Sequence, residues 1–130
     1  MKKFVTLLLC MLPISLFAQV NDGIRQAMDN YDYETVVMLI ESDCQDSLLL
    51  ITKAQALKAM NRYPEAIGVL NSLILKDSTN TKVLIDLAEC YKLTGNSRRA
   101  ANCYQKAMNL QPEINFSGAV HTLFISLRRL

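Results

Sequence analysis

An all-α fold of stacked antiparallel helix hairpins is the architecture this sequence predicts, and three observations predict it. Residues 47–80 and 81–114 are equal in length and superimpose without a gap, and an internal echo of about this period marks a repeat array. Within each stretch two apolar stripes recur at helical spacing. Between the stripes lies a breaker, clearest at Thr94-Gly95-Asn96, where glycine suits a left-handed helix end. A hydrophobic content of 51% with 20% charged residues places the chain among globular rather than disordered sequences.

The elements follow in order. Residues 1–18, MKKFVTLLLCMLPISLFA, carry a positive start at Lys2 and Lys3, an apolar run from Phe4 to Leu12, and small Ala18 before Gln19. That is the layout of a cleaved secretory signal, and the run is shorter than the roughly 20 apolar residues of a membrane span. The expected location is therefore periplasmic or secreted, with no transmembrane segment after cleavage. Cys10 follows Leu8 and Leu9 rather than small residues, so a lipoprotein is not expected. Residues 19–46 read as a shortened, degenerate hairpin, with Ile24, Ala27 and Met28 in its first helix and Val36, Val37 and Ile40 in its second. Asp32 is the predicted cap of that second helix, and Ser42 to Asp46 form the linker onward.

In the two full copies, Leu50 falls on Leu84, Ala54 on Ala88, Ala66 on Ala100, Leu57 on Tyr91 and Leu70 on Tyr104. Small residues at the paired alanines let two helices of one hairpin approach closely, while the bulky positions fill the gaps between neighbours. With Pro112 closing the second copy, residues 81–114 closely resemble the tetratricopeptide repeat family. Residues 47–80 resemble it with departures: Lys53 where a large apolar residue is usual, Asn61 where the second copy has Gly95, and Ser78 where it has Pro112. Ser97 likewise replaces an aromatic in the second copy. The resemblance implies a right-handed α-solenoid of about two and a half to three such units. A C-terminal capping or docking helix, residues 115–130, would follow. There Phe116, Val120, Leu123, Phe124 and Leu127 share a helical face, while Ile125 and Leu130 fall away from it. That tail is a second candidate surface, for self-association.

Several functions are disfavoured. Without Lys2 and Lys3 the chain has twelve basic and twelve acidic residues, which does not suit a nucleic-acid binder acting through bulk positive charge. His121 is the sole imidazole, too little for a zinc site. No nucleophile motif, phosphate loop or dinucleotide fingerprint occurs, so no enzyme activity, metal or cofactor is expected. Cys44, Cys90 and Cys103 remain after the leader; an odd number cannot all pair within one chain, and Cys90 and Cys103 read as small buried hydrophobes. Charge is uneven: residues 19–46 hold seven acids against Arg25, and residues 47–130 hold five acids against eleven bases.

Stacked hairpins line a concave groove with their first helices. The resemblance implies groove positions Leu48, Ile51, Gln55, Lys58 and Ala59, then Lys82, Ile85, Glu89, Lys92 and Leu93. Some family members clamp a terminal carboxylate with Lys and Asn there; Ile51, Ile85, Gln55 and Glu89 do not reproduce that clamp. The expected groove has an apolar floor of Leu48, Ile51, Ile85 and Leu93 rimmed by Lys58, Lys82 and Lys92, suited to a peptide with apolar anchors and some acidic character. The expected function is a non-catalytic scaffold in the cell envelope holding a protein or peptide partner. The alternative is the docking or sensor part of a larger exported enzyme, receptor or assembly protein.

Overall fold

The computed structural model describes residues 18–41 and 44–112. Most of the leader, Ser42-Asp43 of the linker, and the tail with its apolar face and His121 lie outside the described residues. Six helical segments and no strand occur among those described: α1 (18–29), α2 (Tyr33–Leu39), α3 (Ser47–Ala59), α4 (Tyr63–Lys76), α5 (Thr81–Leu93) and α6 (Ser97–Leu110). From α2 onward each helix packs chiefly against its neighbours in sequence, as stacked hairpins require.

Side-chain caps start the helices. Asp32 accepts from the Thr35 amide at the head of α2, Asp46 from Leu48 at α3, Asn80 from Val83 at α5 and Asn96 from Arg99 at α6. Each cap satisfies an amide that the helix itself leaves without a partner. At α4, by contrast, Arg62 stands at the cap without a side-chain bond and Pro64 lies in the first turn, a place that tolerates its missing N–H.

The helix–helix turns repeat more faithfully than the sequence does. Tyr31, Asn61 and Gly95 all take positive φ, at 59°, 61° and 81°. Around each, the same two bonds form. The amides of Tyr31, Asn61 and Gly95 donate to the carbonyls of Met28, Lys58 and Lys92, and the next amides donate to Ala27, Leu57 and Tyr91. This is the Schellman closure of a helix end, built three times with three different residues. The first hairpin is thus a unit of the same design, shortened within α2 and its linker.

Packing confirms the paired alanines. Ala54, Ala66, Ala88 and Ala100 are buried, and they share one core with Leu57, Leu70, Leu87, Cys90, Tyr91 and Tyr104. Leu57, Leu70 and Leu84 are essentially sealed from water, each contributing about 1.5–3 kcal/mol of apolar burial. A smaller core of Ile24, Ala27, Val36, Ile40 and Ala56 binds the first hairpin to α3.

Two departures from the repeat pattern acquire physical reasons. Lys53, in place of an apolar residue, donates from Nζ to the Ile40 carbonyl at 3.0 Å, closing the C-terminal end of the short α2. Ser78 lacks the proline of the second copy, and Asp77 shapes that turn instead, accepting from the Thr79 amide at 3.0 Å and hydroxyl at 2.6 Å. Such a bond mimics a backbone turn.

Candidate peptide-binding groove

Lys58 joins the first helices of the second and third hairpins, α3 and α5. Its Nζ lies 3.0 Å from Asp86 Oδ1 and 2.8 Å from Glu89 Oε2. Burial works against the Lys58 charge, but the bonds to Glu89 and Asp86 together outweigh it and hold its pKa above the ordinary lysine value. This corrects one expectation. Lys58 is not an open cation at the rim; two carboxylates already surround it. Asp86 was not among the expected positions, although its place three residues before Glu89 puts both carboxylates on one helix face.

The other predicted residues divide by exposure. Leu48 and Leu93 stand out at 71% and 57% exposed, so their side chains are open to a ligand. Ile51 and Ile85 are half-buried and pack against the main core, forming a floor rather than free anchors. Gln55 and Glu89 are half-buried, while Lys82, Lys92 and Ala59 are exposed. The structure therefore brings Lys58, Asp86 and Glu89 together at the middle of the face and leaves Lys82 and Lys92 toward the two ends of α5.

Beneath this cluster the core is chemically quiet. Cys90 is fully buried, and burial, with Asp86 and Glu89 nearby, pushes its thiol upward. A raised pKa makes it a packing residue rather than a nucleophile. Cys103 is half-buried and also raised by burial, and Cys44, Cys90 and Cys103 are all free thiols. The phenol of Tyr104 is raised by burial and by Glu89. On α5, the Tyr91 hydroxyl accepts from Asn71 at 3.4 Å, and the Arg99 guanidinium sits 5.7 Å from its ring centre. Among the described residues no group of three or more His, Cys, Asp or Glu is placed to hold a metal ion, and no helix is long and apolar enough to cross a membrane.

A family model described as Tetratricopeptide repeat matches residues 57–123, more than half of the chain. The chain belongs to the tetratricopeptide repeat family. No curated protein matches it. Solved structures match in fold at low identity. The Yersinia enterocolitica type III secretion chaperone SycD, in complex with a peptide of the translocator YopD, aligns over 89% of this chain and 96% of its own, with 19% identity and a TM-score of 0.70. The first such domain of Spaghetti (RPAP3), bound to the HSP90 peptide SRMEEVD, aligns over 88% and 92%, with 17% identity and a TM-score of 0.68. The TPR2B domain of yeast Sti1, in a complex with pHsp70, aligns over 86% and 95%, with 18% identity and a TM-score of 0.66. These likenesses show the helical repeat fold.

Proposed function

We propose that this chain is a non-catalytic interaction module that holds a peptide segment of a partner protein along the α3–α5 face, and that it works in the periplasm or outside the cell. The observation that carries the first part is the pair of exposed leucines, Leu48 on α3 and Leu93 on α5, on helices joined by the Lys58 bridge to Asp86 and Glu89. Apolar side chains held open on adjoining helices supply anchors for a peptide. That the three fold neighbours were each solved with a bound peptide or chaperone partner supports the same reading.

Export rests on the leader 1–18. Cleavage before Gln19 would leave the first hairpin intact, because Ile24 is the first buried residue among those described. Two experiments test the proposal. Capture from the cell envelope with the chain as bait should recover a partner that the Leu48→Asp/Leu93→Asp variant loses; both positions are exposed, so the variant should melt like wild type. Undiminished capture by that variant would remove the groove as the binding surface. Mass spectrometry of the isolated protein should find Gln19 at the amino terminus, and an intact Met1 start in the cytoplasm would refute export.

A further inference from the structure

We propose that the apolar face of residues 113–130 is occupied within the chain itself: it seats on the outer side of the third hairpin, over Leu84 and Ala107, as α5 seats on the second hairpin. That face is then an internal contact, not a docking surface for a second copy or a partner. The repeat supplies the comparison. Leu50 on α3 and Leu73 on α4 are 6% and 4% exposed, and they share the main core with Val83, Leu87 and Tyr91 of the helix that follows them, α5. Their counterparts one repeat on are Leu84 on α5 and Ala107 on α6. No described helix follows α6, so these two should lie open at the end of the stack. They are instead 2% and 0% exposed. Among the described residues, neither belongs to the main core or to the smaller one. A leucine on the outer side of the last hairpin is sealed only by something beyond that hairpin.

The backbone at the end of α6 says which segment that is. Asp77, closing α4, stands at φ −141° and ψ 96°, and Gln111, closing α6, at φ −136° and ψ 85°. Each amide donates to the carbonyl four residues back, Leu73 and Ala107, at 2.9 Å. After Asp77 this exit carries the chain into α5, which lies against α4. The same exit after Gln111 sends residues 113–130 along the corresponding course, across the outer side of α5 and α6. The sequence of that stretch suits the seat. Phe116, Val120, Leu123, Phe124 and Leu127 recur at helical spacing on one face, the pattern of a helix with one side to bury. Residues 113–130 also outnumber the 13 residues of α5, so they are long enough to cover what α5 covers.

The test is photo-cross-linking of the whole chain carrying Phe124→p-benzoylphenylalanine. Unlabelled and isotope-labelled chains are unfolded, mixed in equal amounts and refolded together before irradiation. Peptide mass spectrometry should find cross-links from the tail to α5 or α6, each joining two segments of the same isotope. As many mixed pairs as unmixed would seat the tail on a second copy. Links to α1–α4, or no link to the protein, would take it off the third hairpin. Either result overturns the proposal. Thermal melts give a reading that does not depend on the photoprobe. Leu123→Asp puts a charge on the seated face and should lower the melting temperature by several degrees. Ile125→Asp, off that face, should leave it almost unchanged. Equal shifts in the two variants, or no shift in Leu123→Asp, would equally overturn the seat.

Discussion

Tyr31, Asn61 and Gly95 close three helices with one backbone conformation and three unlike side chains. Only glycine reaches that region without steric cost; asparagine visits it readily, and a bulky aromatic rarely does. Gly95→Ala should therefore cost about 1 kcal/mol, and Tyr31→Asn should gain roughly 0.5 kcal/mol. Tyr31 is 76% exposed and gives up only an edge contact with Tyr33. Urea denaturation of the two variants measures both, and a stabilised Gly95→Ala would contradict the turn geometry. The sequence made Gly95 legible because glycine signals this conformation directly. It concealed Tyr31, where the surrounding packing overrides the residue's own preference.

At the same scale, three exposed carboxyls carry a pH signature. Bonds from Thr35, Arg62 and Thr79 hold Asp32, Glu65 and Asp77 below their ordinary values of 3.8, 4.5 and 3.8. A depressed folded-state pKa gives stability that is present above the unfolded pKa and lost as pH falls through the folded one. Melting temperature should thus hold steady from neutrality to about pH 5 and fall below about pH 4. Asp32→Asn should flatten its share of that fall. A midpoint of loss near pH 6 would assign the acid sensitivity to other groups.

At the scale of elements, the alanines decide how closely each hairpin nests. Ala88 and Ala100 have no exposed surface, so Ala88→Phe or Ala100→Phe forces α5 and α6 apart and should cost at least about 3 kcal/mol. Thermal melts unchanged by both would show that the helices do not nest there. These positions were readable from the sequence because close packing demands small side chains and the two copies supply them in register. Lys53 and Ser78 were readable only as departures, since their compensations come from Ile40 and from Asp77 with Thr79, and local periodicity records neither.

The first hairpin differs from the other two in strength. Its α2 has seven residues, and its core is the smaller one. Its other ties are a Lys53 bond to a carbonyl and the Arg62–Glu34 ion pair at 3.4 Å, whose members are exposed enough to contribute little. Native-state hydrogen exchange should find the amides of α2 opening at lower free energy than those of α5 and α6. Uniform protection along the chain would mean that the three hairpins unfold as one unit.

At the scale of the molecule, exposed apolar side chains among the described residues stand on both sets of helices and compete for the role of binding site. The first helices present Leu48 and Leu93, and the second helices present Met38 and Leu75, exposed by 70% and 88%. Exposure alone favours the second pair. Arrangement favours the first, because the helices that carry Leu48 and Leu93, α3 and α5, are joined by a fixed charge cluster. The candidate groove was legible only as a list of expected positions, once the repeat was aligned. Its charge was not, because the neutralisation of Lys58 depends on residues 28 and 31 places away and appears only when α3 and α5 stand side by side.

The most direct measurement is NMR shift mapping of the labelled chain as it is titrated with a peptide selected on it from a random display library. The amide and methyl signals of Leu48, Ile51, Ile85, Glu89 and Leu93 should move together and saturate with one affinity, while Met38 and Leu75 stay in place. Shifts confined to Met38 and Leu75, with the α3–α5 face silent, would contradict the account.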